Sequence, residues 1–157
     1  FLYAGLMIDA QGNPKVIEFN CRFGDPETQP IMLRMQSDLV ALCLAACQKT
    51  LDQQTAKYDP RPAVGVVLAA AGYPGTVQQG DVIHGLDLPH ENTLKIFHAG
   101  TAEQNGQIVT HGGRVLCATA LGANIADAQK NAYKLVDSIQ WDGIYFRRDI
   151  AWRAIGR

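Results

Sequence analysis

Apolar and polar positions change rhythm several times along this chain, and each change marks an element. Residues 1–9 are apolar through Phe1, Leu2, Tyr3, Leu6, Met7 and Ile8 and turn polar at Asp9, the profile of a strand. Gln11-Gly12-Asn13-Pro14 is a turn sequence, and residues 15–23 then alternate, which predicts an antiparallel hairpin. In that second strand Ile17, Phe19, Cys21 and Phe23 form one row, predicted to face a core, and Glu18, Asn20 and Arg22 form the other. Pro30 follows soon after Asp25-Pro26-Glu27, which predicts no more than a short turn there, with Asp25 as its cap and Pro26 in first position. A longer helix is predicted from Ser37 as N-cap, through Leu39, Leu42, Cys43, Ala46 and Cys47, to about Thr50 or Leu51. Residues 52–62 are polar and contain proline, and the pattern beyond them shifts to short strands, so the boundary between two units is placed here, 1–56 and 57–157.

The second unit reads as mostly β. Strands are predicted at 64–69, 82–83, 94–97, 107–109, 114–119 and 144–146, with turns at Gly72-Tyr73-Pro74-Gly75 and at Asn105-Gly106, a hairpin signal. One helix is predicted over about 125–138. Asn124 caps it, Asp127 sits three residues on, and Ile125, Ala128, Ala132, Leu135, Val136 and Ile139 form its apolar stripe. Ile150-Ala151-Trp152 suits a terminal turn, and Trp141 and Trp152 suit packing. The fold class expected is α+β.

Composition narrows the function. The apolar fraction is 47%, the charged fraction 18% and the net charge −1, with no Lys/Arg block, so a nucleic-acid partner is not expected. No apolar run approaches membrane-spanning length, so no membrane partner is expected either. Cys21, Cys43, Cys47 and Cys117 form no C-x-x-C pair, and Cys43 and Cys47 are expected on a helix face in the core; free buried thiols point to a reducing, cytoplasmic setting. The chain opens inside an apolar run without a Met, which suggests a fragment of something longer.

The row of Glu18, Asn20 and Arg22 is where chemistry concentrates. A carboxylate and an amide oxygen about 7 Å apart can share a hard cation such as Mg²⁺, and an arginine one step on can hold phosphate with its planar fork. The same alternation also describes any half-buried antiparallel strand with a solvated face. Asp25 is read either as a helix cap or as a ligand-facing acid. Gly112-Gly113-Arg114 is read either as a bulge entering a strand or as a phosphate contact, His98 either as facing the cleft from the second unit or as a structural histidine bonded to backbone, and His111 as an exposed loop residue.

Glu18-Phe19-Asn20-Cys21-Arg22-Phe23-Gly24-Asp25-Pro26-Glu27-Thr28-Gln29 resembles the signature of the phosphoribosylamine–glycine ligase family, within the ATP-grasp superfamily. Tyr3-Ala4-Gly5-Leu6-Met7-Ile8, Phe97-His98-Ala99-Gly100-Thr101, Gly112-Gly113-Arg114-Val115-Leu116 and Arg147-Arg148-Asp149-Ile150 fit it too, in the same order. The resemblance implies the end of an ATP-grasp domain, hairpin plus helix, followed by a small β-rich C-terminal domain with one packed helix. It implies Glu18 and Asn20 as ligands of Mg²⁺ or Mn²⁺, Arg22 as the catalytic group on transferred phosphate or glycyl phosphate, and Asp25, Glu27 and Arg114 at the substrate end. The substrates implied are ATP, glycine and 5-phosphoribosylamine, with N-terminal domains of the same enzyme as partners and an isolated fragment that is inactive. Another ATP-grasp ligase or carboxylase, or a packing module without catalysis, are the alternative readings. Two features depart from the family pattern: the strand before the turn offers no acid until Asp9, and His111 stands where Asn or Ser is usual.

Overall fold

The computed structural model describes residues 1–87 and 91–156. It is α+β, as the sequence predicts. Strands β1 (Tyr3–Ile8) and β2 (Pro14–Asn20) form the antiparallel hairpin. The turn between them is built on Asp9, whose carboxylate accepts from the backbone N–H of Gln11 at 3.0 Å and of Asn13 at 2.8 Å. Those bonds, that from Asn13 first, hold the Asp9 carboxyl below the usual carboxylate range.

Two expectations for this strand fail. β2 ends at Asn20, so Arg22 lies beyond it in the connection to the next helix. A strand ends where its partner does, and β1 begins only at Tyr3, opposite Asn20. The apolar row is not in a core either: Ile17 is 64% exposed and Phe19 61%, Cys21 is also exposed, and only Phe23 is half-buried, its ring 4.3 Å from that of Phe1.

Pro30 does not limit the next element to a turn. Helix α1 spans Thr28–Arg34, with Pro30 in its first turn, where a backbone N–H has no intrahelical partner to lose. Its N-cap is Glu27, not Asp25, and Thr28 donates both its N–H and its hydroxyl to the Gly24 carbonyl. Helix α2 spans Leu39–Cys47. Its cap is Asp38, whose carboxylate accepts from the N–H of Val40 at 2.8 Å and Ala41 at 3.2 Å; Ser37, the predicted cap, instead accepts from the N–H of Lys57 at 2.7 Å. Only Ala45 of this helix is buried, so Cys43 and Cys47 lie exposed rather than in the core. Residues 57–59 run beside the end of α1. Asp59 N–H donates to the Arg34 carbonyl, and its carboxyl is held down to about 2 by hydrogen bonding to Arg61.

The core belongs to the second half. β3 (Ala63–Ala69), β4 (Leu94–His98) and β7 (Arg114–Leu121) form an antiparallel sheet in the order β3-β7-β4. β5 (Thr101–Gln104) and β6 (Gln107–Thr110) form a hairpin turned by Asn105-Gly106, both at positive φ, as that dipeptide allows. Thr101–Gln104 carries too little apolar character to be recognised in advance. The predicted strands at 82–83 and 144–146 appear as isolated bridges, Val82 to Val109 and Ala69 to Tyr145.

Helix α3 occupies Ile125–Ser138, as predicted. Asn124 caps it with its amide oxygen 2.9 Å from the Asp127 N–H, and its amide nitrogen donates to the Asp127 carboxylate. Ala128, Ala132, Leu135 and Val136 press onto Val64, Val66, Leu68, Ala118 and Ala120, with Trp141 packed in the same cluster. Trp152 lies on the surface instead, under the Arg153 guanidinium. The opposite face of the sheet receives α1: Pro30 packs over Gly65, where a β-carbon would stand 3.1 Å from Pro30 and 3.0 Å from the Cys117 sulfur. β7 is therefore covered on both faces, and burial pushes the Cys117 thiol up, which leaves it an inert packing group. Among the described residues no helix is long and apolar enough to cross a membrane.

Candidate functional site

Strand β2, the seven residues that follow it and the start of β7 place the charged groups of the site. Strand register sets the first of them. Glu18 lies opposite Gly5 and Asn20 opposite Tyr3. A side chain at residue 5 would stand 3.1 Å from Glu18 Cγ, so glycine there leaves the Glu18 side chain room to lie across the hairpin. Past Asn20 the chain bends, and Arg22 turns back to donate from Nη1 to the Phe23 carbonyl at 2.9 Å. Gly24 is buried beneath the Tyr3 ring and the Glu27 carboxylate, with no space for a β-carbon.

These residues open onto a cleft of about 410 Å³. Glu18, Arg22, Asp25 and Arg114 supply its charge, Tyr3 and Phe23 its aromatic wall, and Gly24 and Thr28 its floor. Arg114 enters from the first position of β7. Its guanidinium stands 3.1 Å from the Asp25 carboxylate and donates to the Asp25 carbonyl at 3.3 Å. That contact disposes of the helix-cap reading of Asp25: its carboxylate faces a cation in a cleft and bonds no helix N–H. Four of the six residues singled out from the sequence thus converge. Asn20 and Glu27 border the cleft through their neighbours without lining it.

Asn20 has a different distinction. Its amide nitrogen is buried and finds no hydrogen-bond partner among the described residues. That nitrogen is a donor; the amide oxygen of the same side chain is the atom of the type a hard cation takes. Mg²⁺ takes oxygen from one or two carboxylates and completes its shell with water and phosphate. The Glu18 carboxylate and the Asn20 amide oxygen are of the chemical types such an ion takes. Among the described residues no group of three or more His, Cys, Asp or Glu is poised for a metal.

Other residues considered in advance fall elsewhere. His98 is exposed and bonds the Thr101 hydroxyl at 3.1 Å, a side chain rather than the backbone partner expected. It borders a second cavity beside β4, away from the charged cleft. His111 is exposed in a loop, as expected. Gly112 and Gly113 permit close approach: a β-carbon on Gly112 would stand 3.0 Å from the Gly100 Cα, and the Tyr73 ring covers Gly113. Tyr3, Gly24 and Thr28 were not foreseen as lining residues. Tyr3 was hidden in an apolar run, although once the hairpin is aligned its register opposite Asn20 gives it away.

Comparison with known proteins points to one family. The family model "Phosphoribosylglycinamide synthetase, C domain" matches residues 63–153, and "Phosphoribosylglycinamide synthetase, ATP-grasp (A) domain" matches residues 1–28. Phosphoribosylamine–glycine ligase from Escherichia coli K12 is 65% identical over all of this chain, and that from Vibrio vulnificus 62%. The chain spans 37% of the length of each. The crystal structure of phosphoribosylamine–glycine ligase from Thermotoga maritima superposes with a TM-score of 0.71 at 37% identity, over 94% of this chain and 36% of that one. With the C-domain model alone covering more than half of its residues, the chain belongs to the phosphoribosylglycinamide synthetase family.

Proposed function

We propose that this chain carries part of the active site of an ATP-dependent ligase that joins glycine to 5-phosphoribosylamine. Residues 1–56 end the ATP-grasp domain and residues 57–157 form the C-terminal ligase domain, in a cytoplasmic enzyme. The observation that carries the proposal is the convergence of Glu18, Arg22, Asp25 and Arg114 on one open cleft, beside the unsatisfied Asn20 amide.

The reaction has two steps. A glycine carboxylate oxygen attacks the γ-phosphorus of ATP, which releases ADP and forms glycyl phosphate. The amine of 5-phosphoribosylamine then attacks the acyl carbon, loses a proton and expels inorganic phosphate. Glu18 and Asn20 hold a divalent cation, Mg²⁺ or Mn²⁺, which when bound neutralises charge on the ATP phosphates. Arg22 leaves the strand just after those ligands, where its guanidinium reaches the transferred phosphoryl group and offsets the negative charge that grows on it. Asp25, Glu27 and Arg114 form the substrate end. The Asp25 carboxylate accepts hydrogen bonds from the incoming amine or ribose and holds them toward the acyl carbon.

A screen of acid substrates with the full-length gene product tests this reading. ADP release that needs glycine together with 5-phosphoribosylamine is the expected result. Turnover with bicarbonate or another acid in place of glycine would reject it.

A further inference from the structure

The connection Cys21–Glu27 supplies two of the four charged residues that line the cleft, Arg22 and Asp25, but has no strand or helix of its own to hold it. On its inner side it is fixed by Gly24, packed under Tyr3 and Glu27 and bonded through its carbonyl to Thr28. On its outer side the hold comes from a residue 89 positions away in sequence. Arg114 grips Asp25 twice, at the backbone carbonyl and at the carboxylate, with separate nitrogens of one guanidinium. A rigid fork bonded to both the main chain and the side chain of one residue restrains the backbone and the rotamer together, which a lysine's single ammonium cannot do.

Arg114 is itself well anchored. It pairs with Ala69 across the sheet, its carbonyl accepts from the Gly100 N–H at 2.9 Å, and the close-packed glycines 100, 112 and 113 fix the turn that leads into it. The sheet of the C-terminal half thus ends in a fork aimed at one residue of the N-terminal half.

We propose that Arg114 is a positioning residue that acts on substrate through Asp25: it sets where the Asp25 carboxylate stands in the cleft. The kinetic side of this proposal rests on the ligase reading; the ordering of the loop does not. Both side chains are partly exposed, at 39% and 53%, so the pair adds little to global stability and its effect is local.

Two measurements on the full-length gene product separate these matters. In Arg114→Ala, amide hydrogen exchange at residues 23–28 rises about threefold to fivefold while β7 and α3 keep their protection. Ligase kcat falls about tenfold or more, and the double variant Arg114→Ala/Asp25→Ala is no worse than Asp25→Ala alone. Arg114→Lys keeps the charge but recovers neither readout; it also carries the test if the alanine variant loses protection throughout. Unchanged exchange at 23–28 overturns the proposal. So do additive kinetic losses, or a rise confined to the KM of the phosphate-bearing substrate, because each makes Arg114 a direct contact. If the wild-type protein ligates nothing, the ligase reading falls, and the exchange result still decides whether Arg114 orders the loop.

Discussion

The β1–β2 hairpin and the β3-β7-β4 sheet both carry rows of apolar residues two apart, with opposite results; in β2 polar residues lie between them, whereas β3 (AVGVVLA) has none. In the sheet, Val64, Val66 and Leu68 alternate onto α3 and are almost wholly buried. In the hairpin, Ile17 and Phe19 alternate just as cleanly, yet more than half of each side chain remains in contact with solvent. Alternation tells which residues share a face; only a packing partner decides whether that face is buried. The sheet has two partners, α3 on one side and α1 on the other, and carries the stability of the chain. The hairpin has none within the described residues, and one of its strands carries Glu18 to the charged cleft.

Substitutions sharpen that contrast. The largest effect is expected in the sheet: Leu68→Ala, at a fully buried site under α3, destabilises the chain by about 2–5 kcal/mol in a denaturant titration. At the edge of the same core, Asn124→Ala removes the α3 cap and costs about 1 kcal/mol, read as a lower midpoint at unchanged slope. The smallest effect is expected in the hairpin. Ile17→Ser, although it removes a large apolar side chain, shifts the stability of this chain by less than about 0.5 kcal/mol. A cost for Ile17→Ser comparable with that of Leu68→Ala would abolish the distinction between the two regions.

The same contrast explains what could be read in advance. Helix α3 was legible to the residue because cap, first-turn acid and apolar stripe all agree between Asn124 and Ile139. That Glu18 and Asn20 belong to one strand, two residues apart, was legible because it depends only on the local period of the sequence. The end of β2 was not, since it is set by the start of β1, and Arg22 therefore reaches the cleft from a loop rather than from a strand. Helix α2 misled for a related reason: Cys43 and Cys47 are spaced to share a face, but both are exposed. The Arg114–Asp25 contact was beyond local pattern altogether, because it joins residues brought together only when α1 docks on the sheet.

Glu18 stands where strand geometry, the open cleft and the proposed cation meet, so its removal is the most direct test. Ligase turnover of Glu18→Ala in the full-length gene product, with folding followed by circular dichroism, is expected to fall by about 100-fold or more while the spectrum and thermal midpoint match the wild type. Near-normal turnover in that variant would contradict the assignment of the cation to Glu18 and Asn20.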